Sequence, residues 1–98
     1  MTLEVRLRPE AEHDLSGAAA WYEEQLSGLG HQFLDEVLIA FSAIAEAPLR
    51  YPVVHRNTRR ALIHRFPFGV YCLVENATIV VLAVMHGSRH PRRWKIRT

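Results

Sequence analysis

Cysteine and lysine are almost missing from this chain. One cysteine, Cys72, excludes an intramolecular disulfide. One lysine, Lys95, leaves arginine to supply nearly all of the fixed positive charge. Long apolar runs are absent too: the longest, Ile79 to Met85, is far too short to span a bilayer. The opening MTLEVRLR alternates charged and apolar residues and lacks the continuous apolar segment of a secretory signal. These absences lead us to expect a cytoplasmic protein with no membrane partner. Apolar residues as a class are plentiful, at 49% of the chain, which argues for a globular fold over disorder. The 98 residues suit a single domain over 1–98, able to bury roughly two-thirds of its unfolded surface without staples. No internal repeat or low-complexity segment interrupts it.

Positive charge is also missing from one half of the chain. Residues 1–48 set Arg6 and Arg8 against nine acids, a net of −7, while residues 49–98 set ten Lys/Arg against Glu75, a net of +9. The modest total of +2 conceals this division. His55, His64, His86 and His90 all lie in the basic half. Such a division suggests an acidic or polyanionic partner for one surface, unless folding interleaves the two halves.

Leu3, Val5 and Leu7 alternate with Glu4, Arg6 and Arg8, the period of a strand with one buried face. Pro9 then suits a first helical turn, and Glu10, Glu12 and Asp14 complement the positive end of a helix dipole. Ala11, Leu15, Ala18, Tyr22 and Leu26 make the apolar stripe of that helix, with Gly28 as its expected C-cap. A second helix is predicted over 31–47, with Leu34, Val37, Phe41 and Ile44 as its stripe, widened by Leu38 and Ala45. Pro48 ends it. Residues 49–58 read as a loop, 59–65 as a strand, 66–69 as a connection and 70–75 as the returning strand. Asn76-Ala77 reads as a two-residue hairpin loop, weakened because alanine resists positive φ. Residues 78–85, apolar at nearly every position, predict a central strand covered on both faces. The order β-α-α-β-β-β gives an α+β fold: a helical hairpin on a mainly antiparallel sheet, followed by a basic C-terminal tail.

The cations gather in three places: Arg59, Arg60 and Arg65 around one strand, His86 and Arg89 after the last strand, and Arg92, Arg93, Lys95 and Arg97 around Trp94. Antiparallel strands can bring several of them to one sheet edge, where charge binds phosphates and an aromatic stacks on a base. Trp94 taken alone reads better as a lid on the core, and Arg89 as functional. His86 and His90 have zinc-like spacing, but Gly87 and Pro91 oppose a helix and no third ligand is near, so no metal is expected. Gly28-Leu29-Gly30 lacks a third glycine and a preceding strand, so it is no nucleotide loop, and no other cofactor is implied. Cys72 falls at an apolar strand position and reads as core. Glu23 and Glu24 read as solvated helix surface.

Asp14-Leu15, Trp21-Tyr22-Glu23, Gly28-Leu29-Gly30, Phe33-Leu34, Pro48 with Tyr51-Pro52, Arg60, Arg65-Phe66-Pro67-Phe68, Val70-Tyr71, and Val81 to Val84 with His86-Gly87-Ser88-Arg89 together form a pattern along nearly the whole chain. It resembles the RelE/ParE superfamily of type II toxin–antitoxin toxins, and its ParE-like branch more closely. The resemblance implies a cognate antitoxin that wraps the chain, acidic and amphipathic to suit the basic half, with operator DNA reached only through that antitoxin. It implies an antitoxin groove between helical hairpin and sheet. For the ParE-like branch it implies inhibition of DNA gyrase without hydrolytic chemistry, with Arg89, Arg92, Arg93, Trp94, Lys95 and Arg97 as target-binding residues. The RelE-like alternative implies an endonuclease acting on mRNA in the ribosome, with Arg60, Arg65, His86 and Arg89 at the phosphodiester. The chain lacks that branch's paired lysines and C-terminal tyrosine, and Trp94 has no phenolic proton to give. A third possibility is a non-toxic, antitoxin-binding corepressor module.

Overall fold

A computed structural model describes residues 2–88 and 91–98. Strand β1 (Glu4–Leu7) leads into helix α1 (Pro9–Gln25), which turns directly into α2 (Leu29–Glu46). A 3₁₀ turn (Pro48–Arg50) follows, then β2 (Val53–His55), β3 (Thr58–Leu62), β4 (Phe68–Glu75), β5 (Thr78–His86) and a short helix α3 (Arg92–Lys95). The five strands form one sheet in the order β1-β5-β4-β3-β2. β1 pairs parallel to β5, and every other pairing is antiparallel. This is the expected α+β arrangement with one strand more: residues 53–55, expected as loop, form the edge strand β2. It is three residues long and irregular in register against β3, too short to announce itself by alternation.

The helical hairpin covers one face of the sheet. Ala11 of α1 and Phe33, Val37, Phe41 and Ile44 of α2 pack with Ala61, Val70, Cys72, Ile79, Val81 and Val84. Phe33, missing from the expected stripe, is fully buried, whereas Leu38 is 60% exposed and Leu26 is 61% exposed. Both errors have one cause: a stripe read at 3.6-residue spacing fixes a helix's period but not which side of it meets the sheet. Leu26 has moreover left the helix, with extended backbone after Gln25. Gly28 does adopt a left-handed φ of 89°, but as the residue preceding α2. Burial pushes the Cys72 thiol up to about 11, as expected of a core cysteine.

β5, expected to be central, is instead an interior strand between β1 and β4, with β4 at the centre of the sheet. It is covered on both faces, and from Ile79 to Met85 only Val80 is not buried. It contains one feature that its uniform apolarity conceals. Tyr71 pairs with Ala83 and Cys72 with Val81, so Leu82 is an extra residue, a β-bulge. The bulge shifts the alternation by one. Ile79 and Val81 face the helices before it, and Val84 does so after it. Ala83 and Met85 then turn to the opposite face, where they join Tyr71 and Trp94 in a second apolar cluster beside Val54.

The hairpin of α1 and α2 is closed by a carboxylate. Glu23 accepts hydrogen bonds from the backbone N–H groups of Gly28 (2.8 Å) and Gly30 (3.0 Å), which lowers its pKa. Glu23 is thus the internal anion of the Gly28–Gly30 turn rather than idle helix surface. The β4–β5 turn places Asn76 at φ 57° while Ala77 avoids positive φ.

Candidate functional site: a groove and a docked basic tail

The tail folds back onto the sheet. Trp94 is 5% exposed, its ring stacked on Tyr71 at 4.4 Å with 20° between planes and edge-on to His55 at 6.0 Å. Three residues on, one turn later, Arg97 enters a polar notch. Its Nη1 donates to Asp14 Oδ2 (2.6 Å) and to the carbonyl of Leu82 (3.0 Å), and its Nη2 donates to Asp14 Oδ1 (3.3 Å). The same Asp14 Oδ2 accepts the backbone N–H of Val84 at 3.1 Å. The bulge therefore supplies both partners from its two sides, a carbonyl for the guanidinium and an amide for the carboxylate. Arg8 completes the grip, donating from Nη1 to the Arg97 carbonyl at 2.8 Å.

Of the residues expected to bind a target, Trp94 and Arg97 consequently face inward, Trp94 as the lid that its sequence context suggested. Arg92, Arg93 and Lys95 are exposed on the other side of the turn, with Lys95 Nζ 5.8 Å from the Trp94 ring centroid. Arg89 lies outside the described residues.

The residues expected of a nuclease are divided. Arg60 sits on the face opposite the helices, its stem against Gly69, where a Cβ would come within 3.3 Å of Arg60 Cγ. Arg60, Tyr71, Gly69, His86 and Ser88 border a shallow pocket of about 300 Å³. The Ser88 backbone N–H donates to His86 Nδ1 at 3.0 Å, so Nδ1 accepts and the neutral ring carries its proton on Nε2. Arg65 is drawn elsewhere: at φ 73° it reaches across to α2, donating from Nη2 to Gln32 Oε1 at 2.9 Å with its guanidinium over Phe66.

A larger groove of about 1090 Å³ runs between α1 and the end of β5. His13, Asp14, Gly17 and Trp21 line it from α1, Phe68 and His86 from the sheet, and Arg93 from the tail. Trp21 is 56% exposed at its edge, its ring meeting Tyr22 at 5.2 Å. His86 and Phe68 meet at 5.4 Å because the two residues are register partners. The role of Asp14 was missed from sequence. In the sequence it reads as one of several acids complementing the helix dipole, although its spacing from Ala11 and Ala18 places it within the buried stripe, which is the signal that an acid there needs a partner.

Against known proteins, residues 5–91 match the family model described as ParE toxin of type II toxin-antitoxin system, parDE. No curated protein matches. Among solved structures, the chain is similar to one in the chromosomal ParDE TA system from P. aeruginosa, with TM-score 0.77 and 13% identity over 87% of this chain and 96% of that one. It is also similar to one in the toxin-antitoxin complex RelBE2 from Mycobacterium tuberculosis, with TM-score 0.64 and 22% identity over 88% of this chain and 99% of that one. At these identities the structural likeness concerns the fold.

Proposed function

The chain belongs to the ParE toxin family of type II toxin–antitoxin systems, and from that premise we propose that it arrests growth by inhibiting DNA gyrase. In this reading it touches gyrase through the outer side of its basic tail and is neutralised by a cognate antitoxin lying in the groove beside α1. The observation that carries the reading is the tail's two-sidedness. Trp94 and Arg97 are spent on docking, while Arg92, Arg93 and Lys95 are held on a fixed turn facing solvent. Cations carried on a backbone fixed in this way steer an acidic partner and spare it the cost of ordering the turn itself. Operator DNA is then contacted by the antitoxin, not by this chain.

The test is pulse-labelling of DNA and protein synthesis within minutes of inducing this chain alone in bacteria. Early loss of DNA synthesis supports gyrase as the target. Early loss of protein synthesis supports the second reading, an endonuclease on ribosome-bound mRNA, which the convergence of Arg60 and His86 on one pocket favours. Under that reading the imidazole moves the proton and the guanidinium meets the phosphate charge. If neither synthesis falls, the chain is a non-toxic module that binds its antitoxin only.

A further inference from the structure

Helix α3 has four residues, three of them cationic, and is far too short to persist by itself. Its position is set by three grips: Trp94 on Tyr71, the Arg97 guanidinium on Asp14 and Leu82, and the Arg97 carbonyl under Arg8. Once docked, it contributes Arg93 to the lining of the groove. Asp14 belongs to both structures, lining the groove and holding Arg97. Neither Arg8 nor Arg97 lines the groove.

We propose that the docked tail is one wall of the groove and that Asp14 is the positioning residue joining them, so that an antitoxin in the groove locks the tail and covers Arg93. This rests on the toxin–antitoxin reading above. The charge of the lining names the kind of segment that fits. Asp14 is paired with Arg97 and hydrogen-bonded by the Val84 amide, which leaves Arg93, with His13 and His86, as the groove's other groups able to carry positive charge. Trp21, Tyr22 and Phe68 supply apolar surface beside them. The occupant is therefore an amphipathic segment whose carboxylates meet Arg93 and the histidine edge while its apolar side covers Trp21. Neutralisation follows from sharing: a cation offered to the target is buried by the antitoxin, and the other tail cations are held by the wall it completes.

Linkage makes this testable with residues that the antitoxin does not touch. If docking of the tail favours occupancy of the groove, loosening the tail must weaken the antitoxin. The probe is the protein encoded by the reading frame adjacent to this one, purified and titrated into the full chain. Tail docking is read separately from Trp94 emission in a Trp21→Phe background. Arg97→Met is expected to shift that emission to the red and weaken antitoxin binding by about tenfold, within the usual range of coupling. Arg97→Lys keeps the charge but not the bidentate fork, so it is expected to fall between wild type and Arg97→Met in both readouts, a partial rescue that a merely space-filling role for Arg97 would not produce. Arg8→Met removes only the carbonyl grip and is expected to give a smaller change in both; it also serves as the probe should Arg97→Met fail to fold. A red-shifted Trp94 with unchanged antitoxin affinity overturns the shared wall, and an unshifted Trp94 overturns the grip itself. A wild-type chain that does not bind the antitoxin removes the toxin–antitoxin reading, a result separate from the behaviour of any variant.

Discussion

Thr58 is fully buried, and its hydroxyl has no hydrogen-bond partner among the described residues. A hydroxyl left without a partner costs about 1–3 kcal/mol of desolvation, while valine has nearly the same shape. Thr58→Val is therefore expected to stabilise the chain by about 1 kcal/mol, read as a higher urea midpoint with unchanged slope; a lower midpoint would mean that the hydroxyl is satisfied after all. Glu23 makes the opposite argument, because its charge is the useful form. Hydrogen bonds from the Gly28 and Gly30 amides lower its pKa below the ordinary 4.5. A depressed folded pKa gives stability that is present above the unfolded value and disappears as pH falls through the folded one. Wild type should thus melt above Glu23→Gln at neutral pH, and the gap should close in acid below pH 4.5. A gap of constant size across that range would assign the loss to packing. The sequence offers little sign of either role. Glu23 has the look of any exposed helical acid, and its amide partners are made available only by the turn that follows. Cys72 and Trp94 were readable, since burial of a lone apolar-flanked cysteine and of a terminal indole follows from their chemistry.

Among the elements, the period of each helix and the hairpin they form were legible, whereas faces and registers were not. The clearest case is β5, where apolar residues at every position from Ile79 to Met85 carry no alternation that could show the extra residue at Leu82. That bulge brings Val84 to the helix side and opens the Leu82 carbonyl to Arg97, so much of the site's geometry depends on something hydropathy cannot display. The helical hairpin has a comparable hidden constraint at Gly30. A Cβ there would lie 2.6 Å from the carbonyl oxygen of Ala19 in α1, and backbone cannot move aside as a side chain can. Gly30→Ala gains at most ~1 kcal/mol in helix propensity. Forcing the helices apart costs about 1–3 kcal/mol and also disturbs the Glu23 bonds, so net destabilisation is expected. Gly17, on the same hairpin, has nothing within 4 Å of an added Cβ. Gly17→Ala should raise stability by about 0.5–1 kcal/mol. Paired thermal melts check the contrast, and two variants of the same sign would show that the close approach at Gly30 is not what fixes the hairpin.

At the scale of the whole molecule, the division of charge seen along the chain survives folding. Glu10, Glu12, Glu24, Asp35 and Glu46 lie exposed on the helical layer, while Arg56, Arg92, Arg93 and Lys95 lie exposed on the β2–β3 turn and the tail. The halves meet where Arg97 joins Asp14 and where His64 approaches Glu36. A molecule polarised in this way presents an attractive field on one side and a repulsive one on the other, which orients an acidic partner before contact. Reversing the outward tail cations together, Arg92→Glu, Arg93→Glu and Lys95→Glu, removes that field while keeping Trp94 and Arg97 for docking. Exposed substitutions of this kind usually change stability by less than about 0.5 kcal/mol each, so the melting temperature should move little. With gyrase as the proposed target, inhibition of its supercoiling by the triple variant should disappear, and inhibition by the wild type should weaken as salt rises, because exposed charges are screened beyond about 10 Å at 0.1 M. Retained inhibition by the triple variant would move the target surface away from the tail, towards the pocket that Arg60 and His86 share.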